Sequence, residues 1–420
     1  MVANPLRRIA ILSPRCRFCP CVPHRIVPLA ITAYTITCSA GSGRDALARA
    51  LQSRASGLRE NDFAEWPLPC WIGRVAGVEN APLPAAWAEW ESRNHRLAWM
   101  ALNEDGFRER ALAAIERHGA TRVALILGTS TSSIGETERV YRELGADGRF
   151  DPSQRGSRVH ETHALGAFVR QALGLEGPCL TIATACSSSA KVFASAQRLI
   201  RAGLADAAIV GGADTLCGSV VYGFNALELV SREPCRPFDA ARSGLSLGEA
   251  AGFALLENIQ VDKSAPRLIG YGESADAHHM SAPHPQGFGA EQAMREALAR
   301  ADVAAGDVDY INLHGTASRQ NDAVEAMLVA RLFPPTVHAS STKGWTGHTL
   351  GAAGIVEAAV TLLAIERGFA PGTLNARNLD PACGPQVRID NAPRDVRVAL
   401  SNSFGFGGNN CCLAFAAGAA

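Results

Sequence analysis

The sequence predicts an α/β protein in which buried strands run through tight turns into helices. Three observations carry that expectation. Short apolar runs rich in β-branched residues alternate with segments of helical apolar spacing. The 420 residues include 40 glycines, which suits many sharp strand-to-helix turns. The composition is 47% hydrophobic, and a chain of this length can bury a large core.

In chain order, residues 1–26 are the odd part. They carry Arg7, Arg8, Arg15, Arg17 and Arg25, with Cys16, Cys19, Cys21 and His24. A Cys-x-x-Cys with a further Cys and a His could hold zinc. No second ligand pair follows, so a disordered extension is the expectation. The apolar run 9–12 falls short of the ~7–15 residues of a signal-peptide core. The fold is expected to begin at Val27. Residues 122–129 read as a buried strand entering a Ser/Thr-rich loop, and 205–214 as another strand. The polar, Pro-containing stretch 262–267 reads as a hinge between an N-terminal half, 27–262, and a C-terminal half, 263–416. The longest apolar helix candidate, 355–365, is interrupted by Glu357 and reads as a buried core helix rather than a membrane span.

The most informative segment is 181–190, TIATACSSSA. A strand-like run ends abruptly at Cys186, and residues 190–200 have helical spacing, which places Cys186 at or near a helix start. Unpaired N–H groups and the positive dipole end there favour a thiolate, a strong nucleophile for acyl transfer. Taken alone, such a cysteine is as often a small core residue. Three further segments argue for chemistry. Residues 312–316, NLHGT, follow a strand-like run at 308–311 and precede a helix opening near Asn321. Residues 341–354 form a glycine-studded loop holding Lys343 and His348, ahead of an alanine-rich helix. Residues 402–410, NSFGFGGNN, read as a glycine-rich turn after the strand-like 396–400. Each histidine sits just past an apolar run, where a rigid element can carry it to a cleft.

In content and order these motifs resemble those of the β-ketoacyl-acyl carrier protein synthases, the condensing enzymes of fatty acid and polyketide assembly, and most of all the elongating type I/II group. The resemblance runs from Val27 to Ala416. It implies a thiolase-like fold, two similar βαβαβαββ halves packed as five alternating layers of helix and sheet. It also implies site residues. Cys186 matches the acylated nucleophile, His314 and His348 the HGT and GHT histidines, and Lys343 the lysine of STKxxTGH. Glu357 stands where the family has the acid that anchors this lysine. Asp322 and Glu325 match structural acids behind the site. Phe406 matches the gating aromatic of the GFGG loop, with Phe404 beside it. A dimer is implied too, in which strand 180–183 pairs with its twin across a two-fold axis.

The implied chemistry explains the residue types. Cys186 accepts an acyl group, splitting one hard step into two. Backbone N–H groups of Cys186 and Phe406 form the oxyanion hole, each such donor being worth ~3–4 kcal/mol in other enzymes. Loss of CO2 from a malonyl thioester leaves an enolate, which neutral His314 and His348 stabilise by donating ring N–H groups. Lys343 holds positive charge close by. The reaction as implied needs neither a metal nor a redox cofactor. Ser243 replaces the family's usual Asp, Ala250 a usual Gly, Ala317-Ser318 the usual Gly-Thr or Ser-Thr, and Asn409 the usual Thr. None removes a reacting group. Together they suggest a divergent member serving a specialised pathway such as polyene lipids.

Charge and cysteine usage narrow the partners. Lys+Arg and Asp+Glu number 40 each, so no global charge draws the chain to nucleic acid or membrane. The expected partner is an acyl carrier protein bearing acyl and malonyl groups. The stretch 93–96 with Arg108 and Arg110 is a candidate basic patch for it. The 12 cysteines are scattered, which fits a reducing cytoplasm better than a disulfide scaffold. Two rivals remain for the function. A thiolase would use a second cysteine, for which Cys411 and Cys412 are positioned in the chain. A chain-length-factor subunit would keep the fold but usually lose the nucleophile.

Overall fold

The computed structural model describes residues 25–151, 154, 157–258 and 260–419. The expected extension and the possible zinc spacing at Cys16, Cys19, Cys21 and His24 lie outside the described residues. Ile26 is already buried, and its N–H bonds the Arg300 carbonyl, so ordered packing starts one residue before the expected position.

Ten strands run in one continuous path through the main sheet, and an eleventh, Gly41–Ser42, pairs only with the first of them. The ten are β1 (Leu29–Cys38), β2 (Val123–Gly128), β3 (Cys179–Ile182), β4 (Ala207–Asp214), β5 (Ala250–Asn258), β6 (Arg267–Ala275), β7 (Tyr310–Asn312), β8 (His338–Ser340), β9 (Val398–Gly405) and β10 (Asn409–Ala416). Their spatial order is β8-β7-β9-β10-β6-β1-β5-β4-β2-β3. Numbered within each half, both halves run third, second, fourth, fifth, first. The pairing senses repeat as well. β2 is parallel to β3 and β4, and β5 is antiparallel to β4 and β1. Likewise β7 is parallel to β8 and β9, and β10 is antiparallel to β9 and β6. The two half-sheets meet only where Leu29 and Ala30 pair with Leu268 and Arg267. The duplication, silent in the residues, is plain in the topology.

The helices that matter for packing are α1 (Arg93–Leu102), α2 (Ala164–Leu173), α3 (Ser188–Arg201), α4 (Gly218–Ala226), α5 (Phe288–Ala301), α6 (Arg319–Leu332) and α7 (Ala353–Arg367). Side chains alternate across each strand, so each half-sheet has two apolar faces and must be covered on both. On one face of the first half, Leu125, Ile209 and Phe253 meet Leu97 of α1 and Phe168 of α2. On the other, Ile126, Val210 and Ala254 meet Phe193 of α3 and Val360 of α7. Those central helices also pack on Leu413 and Phe415 of the second half-sheet, whose far face buries α5 and α6. The result is the expected five layers. A Cβ on Gly354 would lie 2.3 Å from the Ala190 amide nitrogen, so α7 approaches α3 this closely only because that position is glycine.

Two expectations change. The stretch 402–410 is not one long turn. β9 continues through Gly405, only Phe406–Gly408 turn, and β10 begins at Asn409. The candidate basic patch at 93–96 is not a free cationic surface. Arg93 pairs with Glu79 and buried Glu249, Arg96 pairs with Glu91, and Asn94 and His95 are buried. Among the described residues, no helix is long and apolar enough to cross a membrane.

Candidate active site

Strand β3 ends at Ile182, and the chain reverses through Ala185, whose φ is +52°. A non-glycine residue in the left-handed region stores strain of ~1–3 kcal/mol, a cost that recurs where a turn must present a side chain. Here it presents Cys186, just ahead of Ser187, the N-cap of α3. The Ser187 and Ser188 N–H groups bond the Thr184 and Ala185 carbonyls within this turn. The backbone N–H of Phe406 lies close to the Cys186 sulfur and favours its charged form. Burial pushes the thiol up to about 12, against the opposing pull of Lys343 and the Phe406 N–H. Desolvation of the buried sulfur therefore favours the thiol, against the thiolate that a helix start was expected to favour.

The histidines arrive from the other half. His314 follows β7, and its backbone N–H and that of Gly315 both donate to the Glu325 carboxylate, each at 2.8 Å. His348 follows Gly347, whose φ of +69° swings the loop inward. Its Nε2 lies 2.9 Å from the Cys186 Sγ. The two rings are 5.5 Å apart, centre to centre, and nearly perpendicular. Burial, with the Lys343 charge, holds both imidazoles well below their ordinary range and hence neutral. Lys343 donates to the His314 carbonyl and the Glu357 carboxylate, and its Nζ lies 3.4 Å from His314 Nδ1. An ammonium facing Nδ1 makes that nitrogen the acceptor, so the ring proton sits on Nε2, the other edge of the ring. Glu357 also accepts from Ser403 Oγ at 3.2 Å.

The remaining expected residues fall into two groups. Phe404 lies 5.9 Å from the His314 ring, and Phe406 stacks on Phe224 at 5.6 Å. These aromatics, Cys186 and both histidines line a cavity of about 740 Å³. Asp322 and Glu325 do not reach it. Asp322 accepts from the Phe238 and Ala317 N–H groups and lies 3.8 Å from Arg242, while Glu325 also accepts from Asn402. Both support the loop that carries His314. Cys411 and Cys412 are fully buried within β10 and do not line the cavity, which removes the thiolase alternative its second cysteine.

Three contributors were missed from sequence. Asp214 accepts from Thr129, Ser130, Thr131 and Gly351, tying the loop after β2 to the segment just past His348. An acid ending a strand as apolar as 207–213 was the available signal. Phe224 packs 6.3 Å from the His348 ring, with nothing in its local pattern to mark it. Glu249 accepts from the Val75 and Leu216 N–H groups and from Arg93, partners scattered over the sequence.

This geometry can be set beside known proteins. The model described as "Beta-ketoacyl synthase, N-terminal domain" matches residues 94–261, and "Beta-ketoacyl synthase, C-terminal domain" matches 267–377. Nodulation protein E of Rhizobium meliloti (strain 1021) is 38% identical over 330 residues, covering 76% of this chain and 81% of the relative. 3-Oxoacyl-[acyl-carrier-protein] synthase 2 of the same strain is 42% identical over 260 residues, covering 57% and 61%. The ketosynthase ApeO of Xenorhabdus doucetiae, solved in complex with its chain length factor ApeC, superposes with a TM-score of 0.83 at 36% identity. That match covers 93% of this chain and 98% of the other. Fold and kinship define an acyl-transferring condensing enzyme. The chain belongs to the β-ketoacyl synthase family.

Proposed function

We propose that the protein joins an acyl group held on Cys186 to the carbanion left when malonyl-acyl carrier protein loses CO2, giving a 3-oxoacyl-acyl carrier protein. The observation that carries this reading is the 2.9 Å contact of His348 Nε2 with Cys186 Sγ, with His314 beside them at one end of a large cavity. In the first step the buried thiol gives its proton to the departing carrier thiol by way of His348, and sulfur takes the acyl group. In the second, the malonyl carboxylate leaves as CO2, and the enolate oxygen accepts from the Nε2–H of His314 and from His348, whose ring proton moves from Nδ1 to Nε2 between the two steps. The enolate carbon attacks the acyl-Cys186 carbonyl, whose oxygen faces the Cys186 and Phe406 N–H groups. The Cys186 thiolate then departs and regains a proton from solvent. Lys343 and Glu357 set the His314 tautomer without touching the reacting carbon. Phe406, Phe404 and Phe224 flank the path to the thiol.

The active unit in this reading is a dimer formed along the free edge of β3, and residues 27–262 and 263–416 are the two structural halves. A homodimer is the simplest form. The likeness to ApeO, a ketosynthase solved with its chain length factor, and to the ishigamide ketosynthase/chain length factor (26% identity, TM-score 0.85) favours a second form, a heterodimer. Every cysteine among the described residues is a free thiol, which supports placement in a reducing cytoplasm. Offering a panel of acyl-carrier thioesters with malonyl-carrier protein, and weighing the products, tests the reaction. Products longer by two carbons and bearing a 3-oxo group support it, and an unchanged panel, with and without a related partner subunit, overturns it.

A further inference from the structure

Three hydrogen bonds hold the turn Phe406–Gly408 from within the C-terminal half. The Gly407 N–H donates to the Met280 carbonyl at 2.7 Å, the Asp276 N–H to the Gly408 carbonyl at 2.9 Å, and Asn410 Nδ2 to that same carbonyl at 3.1 Å. A fourth tie comes from the N-terminal half, where Lys191 Nζ donates to Asn409 Oδ1 at 3.3 Å. We infer that Lys191 is a positioning residue: through Asn409 it holds the Phe406 N–H in place against the Cys186 sulfur and so sets the rate of acyl transfer. The inference deepens the proposed reaction and rests on it for the rate, not for the holding of the turn.

The turn has to be held because its backbone is soft. Gly407 and Gly408 both have positive φ, +76° and +73°, in a stretch without side chains to pack it. The N–H at its start lies close to the Cys186 sulfur. An oxyanion donor is effective when it already stands about 2.7–3.1 Å from where the charge will form. Cys186 lies just ahead of Ser187, the N-cap of α3, and Lys191 lies in the second turn of that same helix. One rigid element thus carries both the nucleophile and the side chain that fixes the turn. Met280, Asp276 and Asn410 belong to the other half and give the turn no reference to the sulfur.

The chemistry of the pair fits this role. An ammonium donates and never accepts, so it orients the Asn409 amide with oxygen towards α3. The amide nitrogen then faces the turn, where a Cβ on Gly407 would lie 3.3 Å from it. Among the described residues the half-buried Lys191 enters no ion pair. Glu273, which faces Cys411 across β6 and β10, is paired with Arg198. No acid therefore competes with Asn409 for the ammonium. Threonine, the usual residue at this position in the family, carries its hydroxyl one bond closer to the backbone and would fall short of Lys191. The departure at Asn409 is thereby matched to the lysine it meets.

Hydrogen exchange of the full chain, read by mass spectrometry, tests the holding. In Lys191→Met and in Asn409→Thr, amide exchange over residues 406–408 should run at least fivefold faster than in the parent, with thermal unfolding unchanged. Single-turnover acylation of Cys186 by an acyl-carrier thioester tests the consequence. Its maximal rate should fall about tenfold in either variant, part of the roughly 10²–10³-fold lost when an oxyanion donor is removed outright, while half-saturation stays within about twofold. Lys191→Arg should recover most of the rate. Lys191→Met/Asn409→Thr should be about as slow as the slower single variant, because both changes break one contact. Exchange and rate within about twofold of the parent in both folded single variants overturn the inference, as does a double variant slowed by the product of the two. A lower Tm with the rate unchanged also overturns it, since the bond would then serve the fold alone. A parent that never becomes acylated sinks the proposed reaction instead, and the exchange rates by themselves then decide whether Lys191 holds the turn.

Discussion

Lys343 and Glu357 form an ion pair inside the core, with only 3% of either side chain exposed. One residue lies on the loop that carries His348 and the other on the central helix α7, so the pair joins the site to the middle layer. Its ammonium also faces His314 Nδ1. One buried contact therefore bears both on stability and on the state of a histidine.

Breaking that pair by Lys343→Met should lower stability by about 3–5 kcal/mol, because it strands a buried carboxylate. Thermal unfolding reads the loss. The double variant Lys343→Met/Glu357→Leu should regain much of the stability but not malonyl decarboxylation, since His314 still lacks its Nδ1 donor. Full recovery of decarboxylation would mean that the pair serves the fold alone.

Cys186 should carry the acyl group. Intact-protein mass spectrometry after exposure to acyl-carrier thioester is expected to show one adduct, absent from Cys186→Ala. An adduct that survives in Cys186→Ala, for example on the partly exposed Cys179, would sink the assignment.

The histidines should separate by step. His314 lies within 4.8 Å of the thiol without a hydrogen bond to it, whereas His348 Nε2 is 2.9 Å from it. Losing one enolate donor costs on the order of 10²–10³ in rate. His314→Ala should thus slow decarboxylation by about that factor and leave acyl transfer to Cys186 nearly intact. His348→Ala should impair both. The double variant should fall short of the product of the two, because the donors share one oxygen. Single-turnover acylation and malonyl decarboxylation, assayed apart, check this.

Glu325 makes a pH prediction. Burial raises its carboxyl to about 7, against the three N–H donors that pull it down. A raised native pKa means that the folded state binds the proton more tightly than the unfolded chain, where the value is about 4.5. Stability from this group is full below about 4.5 and is lost as pH rises towards 7, at about 1.4 kcal/mol per unit. Glu325→Gln should flatten that decline, seen as a smaller fall in Tm between pH 5 and 7.5 than in the parent. An identical slope would place the proton elsewhere.

Assembly is the last prediction. Among the described residues, strand β3 ends the sheet with no neighbour on its outer side, and Leu180 on it is 43% exposed. A free apolar edge of this kind invites pairing. The protein should sediment as a dimer at micromolar concentration, and Leu180→Lys should dissociate it. A fully active monomer would refute the interface, whereas an inactive chain rescued by a related subunit would favour the heterodimer.

What the residues determine by themselves is local. TIATACSSSA encodes a strand, a turn and a helix because β-branched residues stop where small polar ones begin. The loops holding His314 and His348 announce themselves by glycine and by the apolar runs before them. Even the family was legible, since its motifs are contiguous. Residues 93–96 misled because charge along a sequence does not reveal that Arg93 is matched by Glu249, which lies 156 residues later. Asp214 and Phe224 stayed hidden for the same reason: their partners are set by how α4 and the sheet pack. The tertiary structure alone decided the state of the nucleophile. A helix start argues for a thiolate, but burial between two halves of the fold disfavours the charge and pushes the Cys186 thiol up, beside a His348 that burial keeps neutral.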